Sequence, residues 1–135
     1  MDYYNNRHTA SINFDVKTYE IDVAGHVNNI VYIKWLEDLR CKLFESILPI
    51  DNLLGMDLYP AVISTNITYK KQLKLGDNLT GNICIENIQH NMMTLKFNFI
   101  SSGNICAFAI QKCVIINLVK GTMDKIQFSL LADVK

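Results

Sequence analysis

Residues 19–33 read YEIDVAGHVNNIVYI, so that one carboxylate (Asp22), one glycine (Gly25), one histidine (His26) and two asparagines (Asn28, Asn29) crowd together just ahead of an apolar run. The chemistry such a cluster can do is acyl hydrolysis. A helix starting here offers unpaired N–H groups and the positive end of its dipole, and both stabilise negative charge. Asp22 stands seven residues before Asn29 and reaches the same point if the chain turns at Gly25, where the missing Cβ permits a tight backbone. A carboxylate with backbone donors suffices for an activated acyl group. The carboxylate acts as general base on water or as nucleophile, and the donors hold the developing oxyanion. This scheme calls for no metal and no cofactor. The competing reading is that Asp22 and His26 only stabilise a turn and Asn28 or Asn29 only caps a helix. Spacing alone leaves both open, since Asp and Asn commonly do those tasks.

The elements that must position these groups follow from hydrophobic periodicity. Ile12, Phe14 and Val16 alternate with Ser11, Asn13, Asp15 and Lys17, the signature of a strand with one buried face. At Ile30 the period changes. Tyr32, Leu36, Leu39, Leu43 and Ile47 recur at helical spacing over 30–48, with Lys34, Asp38, Lys42 and Glu45 as a narrower polar stripe. This predicts a helix buried over most of its circumference, capped by Asn28 or Asn29 and ended by Pro49. After a short irregular stretch, alternation returns from Val62 to Tyr69. Further strands are predicted at about 79–88, 92–100 and 105–118, joined by the turn-like QHN and SSGN, with a last alternating piece at Ile126, Phe128 and Leu130. Ile105 to Leu118 is nearly continuous apolar, as in a central strand covered on both faces. One long helix after the first strand, then a meander, makes an α+β domain with an antiparallel sheet wrapped around the helix. One curved sheet covers a helix on one side only, so an edge or face is expected to pair with a second copy.

Composition narrows the function classes. The 135 residues are 50% hydrophobic and 19% charged, which fits a single globular domain over 1–135. Lys plus Arg equals Asp plus Glu at 13 each, so no broad basic face is available for nucleic acid. Cys41, Cys84, Cys106 and Cys113 form no CxxC pair and show no metal-ligand spacing with His8, His26 and His90, which reads as buried free thiols in a reducing cytoplasm. The start MDYYNNRHTA lacks the regions of a secretory signal, and no apolar run reaches the roughly 18 residues of a membrane span. The expectation is a soluble cytoplasmic protein.

The segment DVAGHVNNIVYIKWLE resembles the signature D-x-x-G-H-V-N-N-x-x-Y-x-x-W/Y-x-E of hotdog-fold thioesterases, a group that includes 4-hydroxybenzoyl-CoA thioesterase and related small acyl-CoA thioesterases. ITYKKQLKLGDNL is similar to that family's I-x-Y-x-x-P-x-x-x-G-D-x-L pattern. The resemblance implies the hotdog fold and hydrolysis of an acyl-CoA thioester. It puts Asp22 at the catalytic aspartate and Asn29 where a helix-start backbone N–H polarises the thioester carbonyl, a position at which relatives carry Tyr or His. His26 belongs to the GHVNN form shared with acyl-ACP thioesterases, whose D-x-N-x-H supplies polar catalytic groups; here Ala24 replaces the middle Asn. Tyr69-Lys70-Lys71-Gln72 resembles the Y-R-R-E of the same enzymes. Gln72, at the position of a catalytic glutamate, can orient water but cannot take its proton, which leaves Asp22 as the only base.

The resemblance further assigns Gly25, Val27, Tyr32, Gln72, Lys70 and Lys71 to substrate binding, with Lys74 joining the two lysines toward the phosphates of coenzyme A. It also implies a homodimer or dimer of dimers. An acyl carrier protein as donor of the acyl group, or a non-catalytic acyl-binding module, are the alternatives. Glu37 and Arg40, one turn apart, are expected to form an ion pair. Which acyl group is bound depends on how side chains such as Phe44, Ile63 and Phe97 meet.

Overall fold

The computed structural model describes residues 8–125. Strand β1 (Thr9–Asp15) leads through a 3-10 turn (Thr18–Glu20) to helix α1 (Asn29–Ile47) and a short α2 (Ile50–Gly55); β2 (Leu58–Tyr69), β3 (Asn78–Gln89), β4 (Met92–Ser101), β5 (Asn104–Asn117) and β6 (Thr122–Asp124) follow. The strand order is β1-β3-β4-β5-β2 with β6 added to β5, and every pairing is antiparallel. This is the α+β arrangement expected, a sheet curled around one long helix. The two hairpin turns carry left-handed residues, His90 and Asn91 at φ 53° and 60° and Ser102 and Gly103 at φ 50° and 77°, which match the twist of the flanking strands.

Helix α1 forms where the period changes. Asn28 is the cap: its backbone is extended and its Oδ1 accepts the Ile30 N–H at 3.1 Å. The helix buries Val31, Tyr32, Trp35, Leu36, Leu39, Leu43, Phe44 and Ile47 against the sheet, where Leu79, Ile83, Leu95, Phe97, Phe99, Ala107 and Ala109 complete the core. About half of its circumference is covered, less than the periodicity predicted. The sheet curls around one flank only, so Ile30 and Ile33 stay 63% and 45% exposed beside Lys34 and Asp38. The expected ion pair is present: Arg40 lies 3.6 Å from Glu37. Its Nη1 also donates to Gln111 Oε1 at 2.9 Å, and Gln111 donates to Thr65 Oγ1 at 3.1 Å, tying helix, β5 and β2 together.

Three further readings are corrected. The irregular stretch before Val62 is α2 plus the first part of β2, which contains Pro60; a proline is tolerated there because β2 is an edge strand and needs no donor on its open side. Strand β5 is covered on one face only, so Ile105, Phe108 and Ile110 are exposed. All four cysteines are free thiols as read, but Cys41 is exposed on α1. Ile126, Phe128 and Leu130 lie outside the described residues. No helix of the described residues is long and apolar enough to cross a membrane.

Phe14, Tyr32, Trp35 and Phe99 pack as an aromatic cluster with ring centroids 5.1–6.4 Å apart. Gly81 on β3 lies beneath it. A Cβ at that position would fall 2.8 Å from the Phe14 ring, 2.9 Å from Leu39 and 3.1 Å from Phe99. Gly81→Ala is therefore expected to destabilise the fold by about 1–3 kcal/mol through overpacking, read as a lower denaturant midpoint at unchanged slope. A midpoint equal to wild type would show that the cluster yields at no cost.

Candidate active site

The loop between the 3-10 turn and α1 is a compact turn built on Asp22. Its N–H donates to the His26 carbonyl at 2.8 Å, and its own carbonyl accepts from Gly25 N–H at 2.9 Å. Asp22 Oδ1 accepts the N–H groups of Ala24 at 2.9 Å and His26 at 3.2 Å. Gly25 sits at φ 82°, where an L side chain would be strained. Asp22 thus performs the turn-stabilising task with one carboxylate oxygen. Oδ2 has no partner among the described residues.

A second loop, 70–77, is stitched to the first. Val27 N–H donates to the Leu73 carbonyl at 2.8 Å, and His26 pairs with Lys74 in an isolated bridge. Lys70 and Lys71 N–H both donate to the Cys106 carbonyl, at 2.8 and 3.0 Å. Gly76 and Asp77 of the second motif are structural: Gly76 turns at φ 90°, and Asp77 Oδ2 accepts the Lys74 N–H at 2.8 Å.

Between these loops, the head of α1 and the end of β2 lies a cavity of about 510 Å³ lined by Asp22, His26, Val27, Asn29, Tyr32, Tyr69, Lys70, Lys71, Gln72 and Leu73. It contains every residue assigned from the sequence to catalysis or substrate binding except Gly25, which shapes the turn, and Lys74; neither lines the cavity. Tyr69 and Leu73 belong to it as well. The I-x-Y pattern held the signal for Tyr69, which follows Ile67 on the same strand face. Lys70 borders the cavity, but its ammonium stands 5.6 Å from the Phe108 ring centroid on the outer face of the sheet. Of the side chains named for pocket depth, Phe44 and Phe97 are in the core and Ile63 is exposed, so none of the three lines it.

At the helix head the donors are almost all spoken for. Asn28 N–H bonds the Glu20 carbonyl at 2.9 Å, Val31 N–H bonds the Asn28 carbonyl at 2.9 Å, and Ile30 N–H bonds the Asn28 side chain. The Asn29 N–H has no partner among the described residues, and Asn29 lines the cavity. Burial pushes the Tyr32 phenol well above its usual range, with Cys106 and Tyr69 adding to the rise; burial also raises Tyr69. Both hydroxyls are neutral donors at any working pH. Cys113 is pushed up to about 11 by burial, against a small opposing pull from Arg40, which leaves it an inert thiol outside the cavity. Among the described residues no three His, Cys, Asp or Glu side chains come together as a metal ion would require.

Comparison with known proteins agrees with the fold. A gentisyl-coenzyme A thioesterase is 24% identical, with a TM-score of 0.80 over 90% of this chain and 98% of its own. A 1,4-dihydroxy-2-naphthoyl-CoA thioesterase from Synechocystis is 17% identical, with a TM-score of 0.82 over 93% of this chain and 96% of its own. A Staphylococcus aureus protein solved in complex with CoA is 16% identical, with a TM-score of 0.85 over 92% of this chain and 79% of its own. No curated protein matches. The fold shared with these structures is the hotdog, and the sequence itself matches the thioesterase-like superfamily over residues 16–134. With motif, fold and sequence match in agreement across nearly the whole length, the chain belongs to the thioesterase-like superfamily.

Proposed function

We propose that the protein is an acyl-CoA thioesterase that releases a free acid and CoA. The observation that carries this reading is the pairing, in one cavity, of the Asp22 carboxylate with the uncommitted Asn29 N–H at the head of α1. Asp22 Oδ1 is held by two backbone donors, which fixes the carboxylate and leaves Oδ2 to take a proton from water or to attack the thioester carbon. The Asn29 N–H, backed by the helix dipole, stabilises the oxyanion that forms. Gln72 and His26 border the same space and supply polar contacts to water and the leaving group. Lys71 lines the cavity and Lys74 is bridged to His26 at its border, and both suit the phosphates of CoA. Support for CoA over an acyl carrier protein comes from the neighbour solved with CoA; a protein donor would engage the same lysines.

The test is a panel of aryl, short and long acyl-CoA esters followed by release of free thiol, with acyl carrier protein thioesters of the same acids alongside. Turnover of at least one CoA ester above its carrier-protein counterpart is expected. No release from any ester would remove the thioesterase reading, and the non-catalytic acyl-binding role would take its place.

The active unit in this proposal is a homodimer. Among the described residues β2 pairs with β5 alone, and its twelve residues leave Tyr59, Val62, Ile63 and Tyr69 at least 36% exposed along an open edge that ends at the cavity. A second copy laid antiparallel along that edge satisfies the free backbone groups and adds a wall to each site. Light scattering at micromolar concentration should report twice the mass of the chain or more, and a monomer of full activity would rule out the shared site.

A further inference from the structure

The cavity is graded from a polar rim to an apolar base. Asp22, Asn29, Lys70, Lys71 and Gln72 are exposed, whereas Val27, Leu73 and Tyr32 are 7%, 2% and 3% exposed. A thioester reaching Asp22 and the Asn29 N–H at the rim directs its acyl group into that base.

Tyr32 is the polar group there, and its hydroxyl has no structural task. The ring packs edge-on against Trp35, Tyr69 and Phe99, at centroid distances of 5.2, 5.1 and 5.4 Å, work that a phenylalanine would do equally well. The hydroxyl makes no hydrogen bond with any described residue. Nor is the oxygen sealed from solvent, so the small exposed part of this buried residue includes it. A buried tyrosine hydroxyl ordinarily finds a partner, because leaving it without one is costly. Here the open volume in front of it is the cavity. A few placed polar groups in an apolar pocket fix the orientation of what binds.

We infer that Tyr32 is a specificity-determining residue: its hydroxyl hydrogen-bonds an oxygen substituent on the acyl group, so the enzyme prefers oxygenated acyl groups, aryl or short aliphatic, to plain hydrocarbon ones. The inference rests on the reading of this cavity as the acyl site. The phenol stays protonated at working pH, so it acts as a donor to a carbonyl or hydroxyl oxygen throughout. Tyr69, 44% exposed at the cavity wall, has water available to its hydroxyl and contributes no comparable selection.

The test uses pairs of acyl-CoA esters that differ by one hydroxyl, and in parallel the equilibrium binding of the corresponding free acids. Wild type should favour the hydroxylated member of at least one pair, and Tyr32→Phe should lower that preference ratio by about ten- to a hundredfold in kcat/KM, the usual consequence of a mispaired buried donor. An equal loss on both members, or an unchanged ratio, would overturn the inference, the first by placing the hydroxyl at the thioester. If wild type cleaves no ester, the thioesterase reading fails by itself, and the ratio of acid affinities still decides the role of Tyr32. If Tyr32→Phe does not fold, wild type decides: binding both acids of every pair equally would sink the proposal.

Discussion

Asp22→Asn is expected to fold as wild type and to lose about 10² to 10⁴ in thioester turnover, the range that general acid–base assistance contributes. The carboxamide is a selective probe because the proposed mechanism gives Asp22 a second task on the oxygen that the turn leaves unused. Asn retains an Oδ1 that accepts the Ala24 and His26 N–H groups, so the turn survives. In place of Oδ2 it carries an NH₂, which can neither take a proton from water nor attack a carbonyl. Turnover on the best ester of the panel, set beside the melting temperature, separates the two tasks. Wild-type turnover in Asp22→Asn would reduce Asp22 to its turn-stabilising role and remove the proposed mechanism.

A second large effect is expected from Asn29→Pro, a substitution that deletes one backbone N–H together with the side-chain carboxamide. Asn29 is the first residue of α1, the helical position at which proline is best tolerated. The residue before a proline must be extended, and Asn28 already is, at φ −66° and ψ 137°. No hydrogen bond of the fold is lost, because the Asn29 N–H has no partner among the described residues. Stability should therefore change little, while turnover falls by about 10² to 10³ as for loss of one oxyanion donor. Asn29→Ser is the companion variant. It keeps the backbone donor and changes only the side chain, so it should lose far less; the reverse order of damage would transfer the role from backbone to side chain.

These two residues also show what could be read from the chain alone. The change of period at Ile30 marked the helix, and Gln-His-Asn and Ser-Ser-Gly-Asn marked the hairpins, because both are local signals of spacing and turn chemistry. Local signals could not separate Asn28 from Asn29. Both are good caps, and only the folded backbone shows Asn28 consuming the donors of Ile30 and Val31 while that of Asn29 is spared. Nor could spacing show that the turn takes one oxygen of Asp22 and leaves the other without a partner among the described residues. Leu73 went unrecognised as a cavity residue because it arrives through the Val27 N–H bond, a contact between segments far apart in sequence. The half-covered helix and open β5 face were misjudged for one reason. Apolar residues in a periodic pattern do not reveal whether the surface they meet belongs to this chain or to another.

The open edge of β2 has a consequence for the chain whenever that edge is unpaired. The outward-facing N–H and C=O groups of β2, without partners among the described residues and flanked by exposed Tyr59, Val62, Ile63 and Tyr69, form a template that any extended apolar strand can extend. Pro60 interrupts its run of donors near one end only. With the edge open, two fates compete, the pairing proposed above and amorphous or fibrillar aggregation, and slow refolding at high concentration of mixed chains should favour the second. Whatever keeps this edge occupied acts as the protein's safeguard against precipitation.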